Sequence, residues 1–360
     1  MLSNFGNHMK ISIFGGSHED HIGVTISGLP SNTAFDLNEL QSFLTRRAPG
    51  NSPFTTSRKE SDLIIPKDGV EIKDNIGLIR NGFATFIINN TNTHKQDYDN
   101  LKEVPRPGHA DYTAYIKYGR QINMSGGGPF SARMTAPLCI AGGIAIQMLR
   151  NQGIKIGAHI YKIGNVIDTP FDPANPSFDF LPEFPVFSQK AKDEMKSLIL
   201  AAKEDSDSVG GVVEACVTGC PPGMGGPMYQ GVESILSPIL FGIPAVKGLE
   251  FGAGFSATDL RGSENNDDFY MAEDQVKTRT NNHGGILGGI TSGMPIITRL
   301  AFKPTPSIGK KQNSVNLKRK ENQELSIKGR HDPCVVLRAV PVVEAALAIG
   351  ILDIIMEEKK

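Results

Sequence analysis

Cysteine is scarce in this chain, and neither sign of charge is in excess. Four cysteines in 360 residues, Cys139, Cys216, Cys220 and Cys334, are too few and too scattered for a disulfide scaffold. Cys216 and Cys220 stand four apart beside a strand-like run, but no histidine pair follows at finger spacing, so a structural zinc site is not supported. The formal net charge of -1 gives no general attraction to nucleic acid or to an anionic membrane, and any positive patch must be local. The N-terminus from Met1 to Phe14 lacks an apolar signal core with a cleavage site. The most apolar stretch, Val335 to Met356, is interrupted by Arg338, Glu344 and Asp353. Those charges argue for a core helix over a membrane span. Together these absences predict a cytoplasmic globular protein. Glycine is the excess: 39 of 360 residues, about 11% against roughly 7% typically. That fits tight turns and backbone lying close to a ligand.

At 360 residues the chain can form one large domain or two. Alternation predicts strands at Lys10 to Phe14, Phe83 to Ile88, Ile154 to Tyr161, Val212 to Thr218 and Ile296 to Phe302. Leu37, Leu40 and Leu44 at helical spacing, with Asp36 as cap, predict a helix to Arg46. Ala132 to Leu149 reads as a buried helix whose Gly142 and Gly143 permit close packing. Ser188 to Lys203 is amphipathic. Gly231 to Leu240 reads as a helix interrupted at Pro238, and Val342 to Glu357 as a closing helix with Pro341 in its first turn. Asp168 to Phe187, with five prolines, is expected to be a surface excursion. Lys310 to Lys328, polar and charged, is expected to be a mobile loop. No linker divides the chain and no repeat appears, so the pattern favours one α+β sandwich domain over a barrel.

Two segments put cations beside titratable groups in turns fixed by Pro and Gly: Arg106-Pro107-Gly108-His109-Ala110-Asp111-Tyr112 and Lys328-Gly329-Arg330-His331-Asp332-Pro333-Cys334. That composition suits binding an oxyanion while moving a proton. Gly15-Gly16-Ser17-His18-Glu19-Asp20-His21 follows a strand. His18 is either at the mouth of a site or a hydrogen-bonded turn histidine. His18 and His21 lack the i, i+4 spacing of helical zinc sites, so the metal reading is weak. Arg46-Arg47, with Arg58-Lys59 further on, form either an anion clamp or a solvated charged face. Gly126-Gly127-Gly128 runs into Ser131, Arg133 and a helix. It offers amide donors to an anion, or serves only as a turn, and lacks the lysine ending of a nucleotide P-loop. Asn281 to Gly289, reached through Gly262 to Asp267, combines side-chain amides with bare backbone, which fits the polar edge of a flat heterocycle such as a flavin. Asp332 is ionised if paired with Arg330, or raised in pKa if the site is dry.

In order along the chain, these segments resemble the chorismate synthase family from about Gly6 to Met356. The most specific pieces are residues 106 to 112 and 329 to 334. Asp207 to Gly211, Ala245 to Gly248, Gly262 to Asp267, Asn281 to Gly293 and Lys303-Pro304-Thr305 support them. The resemblance implies a β-α-β sandwich assembled as a homotetramer. It implies conversion of 5-enolpyruvylshikimate 3-phosphate to chorismate and phosphate, an anti-1,4-elimination needing reduced FMN without net redox change. It assigns His18 as proton donor near the departing phosphate, and His109 to the pyrimidine side of the flavin. Asp332 assists deprotonation at flavin N5, with Ser17 and Ser131 in the surrounding hydrogen-bond network. Arg46, Arg47, Arg106, Arg133 and Arg330 become clamps on substrate anions. Pro129, Phe130, Ser131, Pro244, Ala245, Gly288, Lys303, Pro304, Thr305, Pro306, Ser307 and Arg330 match flavin-contacting positions. A separate flavin reductase is a possible source of the reduced cofactor.

The chain departs from the family pattern at Gly16, Glu19, Pro53, Pro129, Phe130 and Pro244. Glu19 adds a carboxylate beside His18, and an arginine of the glycine-loop motif is lost, with Phe130 there to pack on a ring. These departures bear on flavin binding more than on the reaction. Two rivals stand beside this reading. One is a silent relative that binds ligand without turnover. The other is a metal-dependent phosphohydrolase built on His18, Asp20 and His21.

Overall fold

The computed structural model describes residues 3–50, 54–55, 60, 62–91, 103–119, 121, 123–327 and 332–358. Two five-stranded antiparallel sheets enclose a helical layer. The first runs in the order Ser3–Phe5, Lys10–Gly15, His21–Ser27, Phe83–Asn89, Ile65–Asp68; the second in the order Val166–Ile167, Lys155–Ile163, Gly211–Thr218, Ile296–Phe302, Val246–Phe251. Between them lie the helices Thr135–Arg150 and Val336–Glu358, packed on each other. The first also packs on the first sheet and the second on the second sheet. This is the expected β-α-β sandwich, with one continuous apolar core through all layers.

Gly142 explains how closely the two helices approach. A Cβ at that position would fall 2.3 Å from Ala345 Cβ, so only glycine allows this crossing. The helical stretches Ala132–Arg150 and Val336–Glu358 are apolar and long enough to cross a bilayer, yet both are buried inside the protein. The three charges that interrupt the apolar stretch of Val336–Glu358 before its last two residues are each matched. Glu344 takes both guanidinium nitrogens of Arg46 at 2.6 and 2.9 Å and the amide of Ala158 at 3.2 Å. Asp353 accepts the amides of Asn7, His8 and Met9 at 3.0, 2.6 and 2.8 Å, closing the turn that starts the first sheet. Arg338 donates to Asp332 at 2.6 Å and to the Arg47 carbonyl at 3.0 Å. Buried charge is tolerated only when paired and hydrogen-bonded in this way.

Asp36 caps Leu37–Arg47 by accepting the Glu39 amide at 2.8 Å, and Ser188 caps Gln189–Glu204. One sequence expectation is incomplete and three need correction. The segment Asp168 to Phe187 runs over the surface as irregular backbone, as expected, but it is more than an excursion because its aromatics turn inward. Phe171, Phe180 and Phe187 surround the His159 ring at centroid distances of 4.9, 5.7 and 4.8 Å, and Phe184 and Val186 are buried. The stretch from Lys310 is a β-hairpin, Gln312–Asn316 paired with Glu321–Leu325. It is anchored where the Leu317 amide meets the Glu103 carbonyl at 2.9 Å and Ser314 meets Pro105. Polar residues on both faces hid its alternation. The closing helix begins at Val336, so Pro341 lies inside it rather than in its first turn. The helix Val232–Phe241 continues through Pro238, because burial of Val232, Leu236, Ile239 and Leu240 outweighs one lost backbone bond.

Candidate active site

The ends of the helical layer and loops from both sheets surround a cavity of about 760 Å³. That is ample for small ligands, whose sites span roughly 300–1,000 Å³. Its wall carries Arg47, Arg106, Arg133, Lys247, Lys303 and Arg338 against the carboxylates of Glu60 and Asp332. Among the described residues, six cations facing two acids in a protein of net charge -1 form the local positive patch that composition left open. It makes the cavity an anion site.

The arginines are held rigidly from behind. Arg47 is 1% exposed and donates to Asp62 at 2.7 Å. Arg133 is bonded to the same carboxylate and pairs with Glu60 at 2.9 Å. Burial works against ionisation of Asp62, but the Arg47 and Arg133 guanidiniums overcome it and hold the carboxyl below its ordinary value. Burial, reinforced by the nearby charges of Arg338 and Arg133, pushes Arg47 down to about 10 against the attraction of Asp62, still charged at neutral pH. Among the described residues, the Nη2 groups of Arg47 and Arg133 are buried donors without a hydrogen-bond partner. Two unsatisfied cationic donors on one cavity wall are costly unless a ligand completes them. Burial and the charge of Lys247 lower the Lys303 pKa, a further sign of uncompensated positive charge there.

The histidines are fixed by one glycine turn. Gly126, Gly127 and Gly128 all have positive φ, at 61°, 95° and 52°, a path open to glycine and strained for other residues. This lets the turn press against both imidazoles: a Cβ on Gly126 would meet the His18 ring, and one on Gly127 would lie 3.2 Å from His109 Nε2. Ser17 Oγ donates to the Ser125 carbonyl at 3.0 Å and lies 3.0 Å from His18 Nδ1, so Nδ1 carries the proton it donates to that oxygen. His109 Nδ1 lies 2.7 Å from Asp111, which also accepts from Arg106 Nε and Nη2 at 2.7 and 2.8 Å. A carboxylate only accepts, so the His109 proton is on Nδ1, and Nε2 is presented to the turn. Burial opposes charge on Asp111, yet hydrogen bonds from Arg106 and His109 hold its carboxyl well below the usual carboxylate range.

Of the residues singled out from sequence, His109, Ser131, Arg47, Arg106, Arg133, Asp332, Pro129, Phe130, Pro244, Ala245, Lys303, Thr305, Pro306 and Ser307 line the cavity. Ser17 and His18 are buried directly behind Gly126. Arg46, Pro304 and Gly288 do not line it. Arg46 is drawn away to Glu344, and Gly288 belongs to the turn between Ile286–Leu287 and Ile290–Thr291. Arg330, His331, Arg58, Lys59 and Pro53 lie outside the described residues. His18 is buried while His21 is exposed at a strand end. Among the described residues no group of three or more His, Cys, Asp or Glu side chains comes together as metal ligands.

A family model for chorismate synthase matches residues 9–356. The chain is 45% identical over 369 residues to the chorismate synthase of Lancefieldella parvula, covering 98% of this chain and 96% of that one. The chain belongs to the chorismate synthase family. Chorismate synthase of Thermococcus kodakarensis is 41% identical over 361 residues, covering 98% of each chain. A crystal structure of chorismate synthase superposes with a TM-score of 0.76 at 26% identity, covering 98% of this chain and 93% of that one. The chain is therefore a carbon–oxygen lyase of the shikimate pathway, the class that eliminates phosphate from 5-enolpyruvylshikimate 3-phosphate to give chorismate. It takes a small-molecule substrate and a flavin. For chorismate synthase the anion wall has an immediate use, since its substrate carries one phosphate and two carboxylates.

The sequence reading gave no role to Arg338, Lys247, Glu60, Asp62 or Asp111. Lys247 and Asp111 stood inside quoted motifs, and that proximity was the available signal. In the sequence Arg338 stands out only as a charge within an apolar stretch.

Proposed function

We propose that Arg47, Arg106 and Arg133 hold the phosphate and carboxylates of the substrate in this cavity, with Arg330 joining them, while Arg46 serves the Glu344 pair. The observation that carries the reading is the pair of unpartnered Nη2 donors on Arg47 and Arg133, beside two imidazoles seated on one glycine turn. His18, with Nδ1 bonded to Ser17, donates a proton toward the departing phosphate. His109, oriented by Asp111, offers Nε2 on the cavity side. Asp332, held by Arg338, accepts a proton, with Ser17 and Ser131 fixing the hydrogen-bond network.

Reduced FMN fits the residues present: Phe130 and Pro129 offer apolar surface for a flat ring, and Lys247 and Lys303 suit an anionic tail. Ala245, Pro244 and Thr305 to Ser307 form the adjoining wall. When bound, reduced FMN supplies electron density as phosphate leaves and takes it back as the ring hydrogen is lost. The protein's part is to bind, orient and exclude water. Anaerobic turnover of 5-enolpyruvylshikimate 3-phosphate with photoreduced FMN tests this directly. Stoichiometric chorismate and phosphate are expected, and tight binding of both ligands without product would leave only the silent-relative reading.

The functional unit is proposed to be a homotetramer in the cytoplasm, supplied with reduced FMN by a separate reductase. Tyr229, Phe255, Met228, Phe269 and Met271 are 85, 78, 75, 65 and 65% exposed. Large apolar side chains this exposed are what contact between subunits would cover. Sedimentation equilibrium checks the assembly, and turnover with oxidised FMN and NADPH alone checks the reductase.

A further inference from the structure

Outside the cavity, the glycine-rich segment 281–289 and the hairpin it feeds bring Asp267, His283 and Ser292 into one hydrogen-bonded line. His283 Nδ1 is bonded to Asp267 Oδ2, and His283 Nε2 lies 2.9 Å from Ser292 Oγ. None of the three lines the cavity. Asp267 is an anchored anion: its Oδ1 accepts the Asn282 amide at 2.8 Å and the Thr280 hydroxyl at 2.6 Å, while Oδ2 accepts the His283 amide at 2.9 Å. Burial opposes its charge, and these donors overcome that and hold the carboxyl below its ordinary value. Facing a carboxylate, His283 keeps its proton on Nδ1. Its Nε2 is then the basic nitrogen and takes the Ser292 hydroxyl proton as a hydrogen bond.

A second donor acts on the same oxygen. The Met294 amide lies 3.3 Å from Ser292 Oγ, which favours negative charge there as the proton leaves. His283 and Asp267 are 7% and 5% exposed at the side chain, whereas Ser292 is half-buried and the next residue, Gly293, is exposed. A buried base hydrogen-bonded to the hydroxyl of a half-buried serine is the arrangement that activates a serine.

We propose that Ser292 is an activated nucleophile, a second reactive site that accepts an acyl or phosphonyl group from small activated esters. In acylation, Ser292 Oγ bonds to the carbonyl carbon and the carbon–oxygen bond to the leaving alcohol breaks. The serine proton passes through His283 Nε2 to that alkoxide. Water then attacks the acyl-serine by the same route, releasing the acid and restoring the hydroxyl. With an alkyl fluorophosphonate, an oxygen–phosphorus bond forms, the phosphorus–fluorine bond breaks, and fluoride leaves as His283 takes the proton.

A purely structural clip would show the same hydrogen bonds without reactivity. The test is to treat the intact wild-type protein with an alkyl fluorophosphonate and locate the adduct by peptide mass spectrometry. Near-stoichiometric labelling of Ser292 is expected, slowed at least about tenfold in His283→Gln. Hydrolysis of p-nitrophenyl acetate is expected to fall to the level of Ser292→Ala in that same variant. An unlabelled Ser292 in the wild-type protein overturns the proposal, whatever the variants do. So does labelling that His283→Gln leaves unchanged while its circular dichroism matches wild type.

Discussion

Gly126 touches His18 so closely that a Cβ on the glycine would fall 2.1 Å from Cε1 and 2.3 Å from Nδ1. The φ of 61° adds a strain that L side chains rarely accept. Alanine at 126 must therefore displace either the imidazole or the turn, and the turn also carries Gly127 against His109. Because misplacing a reacting group by about 1 Å can cost on the order of 10²-fold, Gly126→Ala is expected to lose roughly that much turnover. The substrate KM is expected to change little, since Arg47, Arg106 and Arg133 are anchored elsewhere. Steady-state kinetics with 5-enolpyruvylshikimate 3-phosphate read both quantities, and a turnover near wild type would sink this reading of the contact.

Asp111 fixes which nitrogen of His109 carries the proton, so the two residues are expected to fail differently. Removing an acid–base group typically costs about 10²–10⁴-fold, and His109→Ala is expected to show that loss in turnover with little effect on KM. Asp111→Asn keeps the imidazole but replaces an acceptor-only carboxylate with an amide that can also donate. The other tautomer is then allowed, and the pH profile of turnover is expected to change shape as well as height. Asp111 also affects stability. Its carboxyl is held below the ordinary 3.8, so its stabilisation is present above that value and disappears as pH falls through the depressed one. Wild type is therefore expected to lose stability below pH 3.8 more steeply than Asp111→Asn. Equal acid denaturation slopes would count against the pairing.

What was legible in the sequence was whatever lay close together in it. The turn chemistry of residues 106 to 112 and the strand alternation at 154 to 161 are local, and local rules read them. Residues that meet across the chain were not legible. Arg47 and Arg133 converge on Asp62, and no periodicity announces that meeting. Arg46 looked identical to its neighbour, but successive helix residues point about 100° apart. Arg47 therefore faces the cavity while Arg46 reaches Glu344. The aromatics of Asp168 to Phe187 were hidden by their prolines: irregular backbone carries no period, although it buries Phe171 as fully as a strand would.

The close helix crossing at Gly142 gives a prediction about stability alone. Its hypothetical Cβ lies 2.3 Å from Ala345 Cβ and 2.7 Å from the Ala345 carbonyl oxygen, so backbone must move to admit even a methyl group. Overpacking of this kind costs about 1–3 kcal/mol. Gly142→Ala is expected to shift the urea midpoint accordingly while leaving flavin binding intact. An unchanged midpoint would mean that the two helices separate easily, against the close packing described above.

The last prediction concerns His159, buried between two acids and remote from the proposed chemistry. Its Nε2 lies 2.9 Å from Glu214 and its Nδ1 3.5 Å from Asp168. Arg299 also pairs with Glu214 at 2.8 Å and lies over the Tyr161 ring, and Cys216 is buried nearby. Burial acts to lower the His159 pKa, but Asp168 and Glu214 prevail and raise it above 6.5. A group whose pKa rises on folding stabilises the protein fully below its unfolded value, here 6.5, and that contribution is lost as pH climbs through the raised folded value. Wild-type Tm is therefore expected to fall as pH rises above 6.5. In His159→Gln, which cannot charge, the decline over that window is expected to be shallower, from a lower starting Tm, because Asp168 and Glu214 lose their shared cation. Parallel curves for the two proteins would show that folding leaves the His159 pKa unshifted, against its pairing with Asp168 and Glu214.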